Sequence, residues 1–326
     1  MNRFKLRPSL EEMHPSLSIH YEDFWFHLSA NPNAVELLER YPCHINWDSL
    51  SANPNAINLL SRNKDKLSWD LLSYNPKALP LLMKNPSRIL WCTLSGNTGA
   101  IELLAKHPDK IEWGALSRNP AALPLFRQYP EKVQWVWVSG NEGALPILEE
   151  NLDKLDWCSL SGNPAAIKIL EKNLDKIDWT MLSMNPAAIH LLEENPHKID
   201  WIWICQNKNA LPIFLKQDPD TLHWDMLSEN PGAVPLLERY PDRIHWDRLS
   251  FNRNAFHLLA QNLDKVFISS LAGDPSALSL LCVPDYAKMR EDTIVHELNA
   301  YVLDPDRVSR VAQRLGLSFQ EYLLAQ

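Results

Sequence analysis

The chain is predicted to be all-α, a solenoid of about twelve two-helix units followed by a C-terminal helical cap. The prediction rests on three observations. Tryptophan recurs every 22 residues, at Trp25, Trp47, Trp69, Trp91, Trp113, Trp135, Trp157, Trp179, Trp201, Trp224 and Trp246, with one 23-residue step. Each Trp opens a copy of W-x-x-L-S-x-N-P-x-A, and a weaker twelfth copy has Ile268 in its place. The 24 prolines fall periodically instead of clustering. A unit this short cannot bury its own apolar side, so copies must stack on their neighbours.

The elements follow from the places in the unit, numbered from the Trp. Asn, Ser, Glu or Asp often precedes the Trp (Asn46, Ser68, Glu112, Asp156, Asp178, Asp200), a capping signal for a short helix A over places 1–5. Place 4 is Leu, Val or Ile and place 14 Leu or Phe in every unit, giving a core ladder. Place 10 is Ala in all twelve, from Ala34 to Ala277, as expected where two backbones approach closely. Place 7 is Asn in eleven units and Asp274 in the last, usually followed by Pro. That pair predicts a second helix, helix B, from about place 8 to place 16. Five units carry Pro at place 12 (Pro80, Pro124, Pro146, Pro212, Pro235), which predicts a 3₁₀-like first turn or a start nearer place 11. The ten Ser at place 5 are expected to bond a carbonyl of helix A or to join the next cap.

The Trp at place 1 is expected to lie buried between layers from Trp47 to Trp246, so that truncating one would cost roughly 3–5 kcal/mol. The alternative is an exposed aromatic row that stacks bases or sugars. Uncurved, eleven steps of about 8–10 Å would make a body about 90–110 Å long with an elongated scattering profile.

Three regions follow: an N-terminal segment and partial cap over 1–24, repeats over 25–282, and a helical extension over 283–326. In the last, residues 285–303 are amphipathic, Asp304-Pro305 opens another helix, and Ser318 with Glu321 makes a capping box.

A net charge of −8 opposes a phosphate-backbone binder. Five cysteines without a C-x-x-C pair read as free thiols of a reducing compartment. No apolar stretch approaches a membrane span, and residues 1–24 lack a signal-peptide core. The nearest histidine pair, His190 and His197, has no third ligand, and no nucleophile or phosphate-loop motif occurs. No cofactor, metal site or enzymatic activity is expected.

Places 2, 3 and 6 fall on the side of helix A away from the core. In the six units from Trp91 to Trp201 these eighteen residues include one charge, Arg118. Cys92, Val136, Trp137, Cys158, Met181, Met184, Ile202 and Trp203 form the candidate partner-binding surface. Flanking units place Asp48, Asp70, Asp225, Glu229, Asp247 and Arg248 there. An apolar stretch between charged ends fits a binding groove. Crowding on the inside of a curve is the alternative, and Gly96, Gly140 and Gly162 fit that too.

The strings LSANPNAINLLSRN, LSGNPAAIKILEKNLDKIDW and LSMNPAAIHLLEENPHKIDW resemble a tandem repeat of proteins encoded by large DNA viruses of protists, the giant viruses, over about residues 25–281. The alternation of short and longer helices looks like the leucine-rich-variant solenoids. The resemblance implies a viral scaffold contacting viral or host proteins in host cytoplasm or viral factory. It leaves open a structural role in the virion, as a minor capsid or core-associated component, and, remotely, an enzyme or enzyme regulator. Neither a nucleic-acid nor a membrane partner is expected.

Overall fold

The computed structural model describes residues 4–6, 21–262, 265–266 and 268–284. The helices expected beyond residue 284 lie outside the described residues, as do most of residues 1–24. Within them the chain is all-α, apart from one pair of three-residue strands, β1 (Phe4–Leu6) and β2 (Cys282–Pro284).

The unit opening at Trp157 shows how each element is set. Helix A, Trp157–Ser161, is capped by Asp156, whose carboxylate accepts from the Ser159 N–H at 2.8 Å. The Asn163 side-chain oxygen then accepts from the Ala165 N–H at 3.0 Å and holds Pro164–Ala166 in a separate 3₁₀ turn. Helix B, Ile167–Glu171, begins only at place 11, and a 3₁₀ turn over Leu174–Lys176 leads to the next unit. Helix B therefore does not run from place 8, because Asn closes a tight turn of its own before it. The place-12 prolines sit in its first turn, where an N–H has no partner within the helix.

The Leu, Val or Ile at place 4, Ala at place 10 and Leu or Phe at place 14 are buried throughout, including Leu116, Ala122 and Phe126 of one unit. The Trp expectation needs correction. Only Trp25 and Trp224 are buried; the others in the ladder pack half-buried against the core, and Trp201 is 37% exposed. Most of these rings are met by a side chain of their own unit's linker instead of being wedged between layers. The ammonium of the place-20 lysine crosses the ring, as Lys110 does over Trp91 and Lys198 over Trp179, at 4.8 and 4.4 Å. Elsewhere a place-17 aromatic meets it edge-on, as Tyr129 meets Trp113. The extra residue of the 23-residue step lies in the stretch ending at Trp224; there the indole N–H donates to the Pro219 carbonyl at 2.8 Å.

Polar ladders tie the layers together. The Asn53 side-chain N–H groups donate to the carbonyls of Ser29 (3.0 Å) and Asn31 (2.9 Å) in the preceding unit. Asn75, Asn97, Asn119, Asn141, Asn207 and Asn252 repeat both bonds. The place-5 Ser hydroxyl donates to the carbonyl of its own Trp and accepts from the N–H just before the next Trp, as Ser51 does with Trp47 and Ser68. Asn and Ser thus satisfy backbone groups that the short helices leave buried and unpaired.

The same ladder joins the last unit to the first. Asn31 donates to the carbonyls of Ala272 (2.9 Å) and Asp274 (3.1 Å), places 5 and 7 of unit 12. Asn33 donates to Pro275 at 3.1 Å, as Asn55 does to Pro32 at 3.0 Å between units 1 and 2. Helix A of unit 1 (Tyr21–Ala30) packs on that of unit 12 (Ile268–Ala272). Strands β1 and β2 pair antiparallel across this junction, Lys5 opposite Val283, and Leu6 is fully buried. The stack is a closed ring, not an elongated body. A turn of about 30° per layer, accumulated twelve times, brings the ends together.

Closure also decides which side faces the middle. Helices A of adjacent units meet backbone to backbone, whereas helices B are bridged by long side chains: Arg62 to Glu39, Lys216 to Glu193, His190 to Glu171. Layers of a bent stack are closest on the inside, so helix A lines the inner rim and helix B the outer.

Candidate interaction surface

Places 2, 3 and 6 of helix A point away from the core into the ring's interior. Val136 is 55% exposed, Trp137 44%, Ile202 54% and Trp203 40%; Phe26, Tyr74 and Phe251, at places 2 or 6 of other units, are exposed as well. Cys92 and Cys158 are exposed, while Met181 and Met184 are half-buried. Units 6 to 9 thus carry Val136 and Trp137, Cys158, Met181 and Met184, then Ile202 and Trp203 in succession. Cys92 stands two units away, beyond Gly114 and Ala115.

A shallow pocket of about 320 Å³ opens in this arc, lined by Arg118, Val136, Trp137, Gly140, Ser159, Gly162 and Met181 among others. The Arg118 guanidinium lies over the Trp137 ring, 3.8 Å from its centre, so the arc's single charge is spread on an aromatic face. A second pocket, about 580 Å³, lies where the uncharged arc meets the acidic one. Gln206, Asp225, Met226, Glu229 and Arg248 line it, with Arg248 and Glu229 3.5 Å apart. Sequence reading treated these charges as the groove's boundary and missed Met226. The signal was a third apolar residue at place 3 after Met181 and Trp203.

Crowding does not explain the glycines of this arc. A Cβ on Gly140 would meet Ser159 at 3.7 Å and one on Gly96 would meet Tyr74 at 3.5 Å, both ordinary contacts. On Gly162 it would meet the movable end of Met181 at 3.2 Å and the Ser159 carbonyl oxygen at an ordinary 3.6 Å. By contrast, Gly143 at place 9 has the Pro120 carbonyl oxygen 1.9 Å from where its Cβ would be. Smallness is demanded at that turn and not along the arc, where it leaves the pocket open.

Partial burial, then Asp178 and Asp156, raise the Cys158 thiol above its ordinary pKa. Burial, reinforced by Asp225, pushes Cys205 up to about 11, with the His223 backbone N–H opposing. Both shifts disfavour the thiolate a nucleophile needs. Cys205 replaces Ser at place 5 and donates to the Trp201 carbonyl at 3.2 Å. His190 pairs with Glu171 at 2.8 Å across a layer, and His257 with Glu238 repeats that geometry, so both join layers. Among the described residues no three His, Cys, Asp or Glu converge as a metal site, and no helix is long and apolar enough to cross a membrane. Comparison with protein-family models, curated proteins and solved structures finds no match.

Proposed function

We propose that the protein is a non-enzymatic scaffold, a closed α-solenoid that holds a protein partner through the uncharged helix A arc of its central units. The supporting observation is the exposure of Trp137 and Trp203, two rings outside the repeated ladder, on the inner rim. Large aromatic rings held rigidly on a concave wall are the usual anchors of protein contacts. The net charge of −8 weighs against nucleic acid as the partner.

The test is affinity capture from infected cells with the native chain and with Trp137→Glu/Trp203→Glu. The reading expects a specific partner lost in the double variant while helicity is unchanged. Equal capture by both, or collapse of the fold, would overturn it. On the repeat's resemblance to giant-virus proteins, the setting proposed for this role is an infected protist. Stoichiometric recovery from purified particles would favour the structural virion role instead.

A further inference from the structure

We infer that the ring's bore receives a basic amphipathic helix of a partner protein, its apolar stripe on the Trp137–Trp203 arc and its cationic side on the opposite wall. The inference rests on the scaffold reading above and adds the chemistry of the occupant.

The walls differ in kind. On units 4 to 9, places 2, 3 and 6 carry exposed apolar groups and one arginine laid on Trp137. On units 10, 11, 2 and 3 the same places carry exposed Asp225, Glu229, Asp247, Asp48 and Asp70, with Tyr74 and Phe251 exposed among them, so the difference between the walls is one of charge. Arg248 stands among them and is drawn to Glu229. The outer helices B instead mix both signs and pair them across layers. A ring with one apolar wall and one acidic wall complements a helix with one apolar and one basic face, the pattern read by helix-binding grooves.

Size permits it. Twelve helices A packed at about 8–10 Å set their axes on a circle about 30–38 Å across. Subtracting one helix width leaves an opening of about 20–25 Å, against about 10–12 Å for a single helix. A helix seated on the apolar arc leaves about 8–15 Å to the opposite wall, about one Debye length at 0.1 M salt, so its cationic side faces the carboxylates of that wall across the bore.

The test uses fluorescence anisotropy of labelled 18-residue helical peptides with the full chain. A Leu/Lys amphipathic peptide should bind one per ring and weaken at least tenfold from low to high salt, as contacts to carboxylates are screened. Binding should drop at least tenfold in Trp137→Glu/Trp203→Glu and in Asp48→Asn/Asp70→Asn/Asp225→Asn/Asp247→Asn. Removing four outer carboxylates, Glu36→Gln/Glu102→Gln/Glu149→Gln/Glu194→Gln, should leave it within twofold. Circular dichroism on each variant reports whether the ring is folded, and the asparagine set changes charge with little change of shape. Equal binding of a Leu/Glu peptide would overturn the basic assignment. Equal binding of a scrambled Leu/Lys peptide would overturn the helical one, and loss in the outer set would overturn the bore as the site. No binding at all would overturn the inference alone, because capture from cells decides the scaffold reading without any peptide.

Discussion

Asn31 and Asn119 occupy the same place in units 1 and 5, and comparing their alanine variants separates a ring from an open stack. Asn119 is 1% exposed; it donates to the Ser95 and Asn97 carbonyls, both at 3.1 Å, and accepts from the Ala121 N–H at 3.0 Å. Asn119→Ala deletes three hydrogen bonds and strands buried backbone groups. At about 1 kcal/mol per bond plus the penalty for what is left unpaired, the expected loss is about 3–4 kcal/mol. Asn31 is fully buried with bonds of 2.9, 3.1 and 2.9 Å to Ala272, Asp274 and Asn33. In a ring Asn31→Ala should therefore cost the same, within about 1 kcal/mol. In an open stack no layer precedes unit 1, and only the local turn bond is lost, about 1 kcal/mol. The assay is urea unfolding followed by circular dichroism, comparing midpoints at equal slope. A small effect at Asn119 would refute the ladder as the tie between layers. A large effect at Asn119 with a small one at Asn31 would refute closure.

Two further outcomes follow from packing and from one irregular rung. Leu160→Ala, at a fully buried place 4, should cost about 3–5 kcal/mol in the same assay, and Trp157→Ala clearly less, because that ring is half-buried at the rim; the reverse order would restore the tryptophans as the central wedge. Asp274→Asn should raise stability by about 1 kcal/mol, since a carboxylate has no N–H to donate to unit 11, whereas asparagine at every other place 7 donates to the unit before it. Destabilisation would mean that the Asp274 carboxylate, which accepts from Ser276, matters more than the missing rung.

Much of the unit was legible in the residues. The invariant Ala at place 10, Leu at place 4 and the Asn turn each answer a local demand, for close approach, burial or a satisfied N–H. The place-12 prolines gave the correct start of helix B over the conventional reading of Asn-Pro. The tryptophans were misread because their spacing fixes that they repeat but not how deep they sit, and the lysine at place 20 covers six of them. Closure was missed because it is a sum of small rotations, none encoded in one residue. One clue existed: Asn31 keeps the full interlayer motif although a linear stack gives it no layer to bond. The candidate surface was located by its lack of charge, but the stacking of Arg118 on Trp137 and the pocket around Met226 depend on neighbours 19 or more residues away.

The distance between units 1 and 12 in solution tests closure most directly. Spin labels on Asn33→Cys and Ser276→Cys, with the exposed Cys43, Cys92 and Cys158 changed to serine, leave the native Cys205 and Cys282 buried. A closed ring predicts the same short dipolar distance as the internal pair Asn33→Cys/Asn55→Cys, one layer of about 8–10 Å plus the label arms. A separation approaching the about 90–110 Å of eleven unbent steps, seen as loss of the dipolar signal, would contradict it.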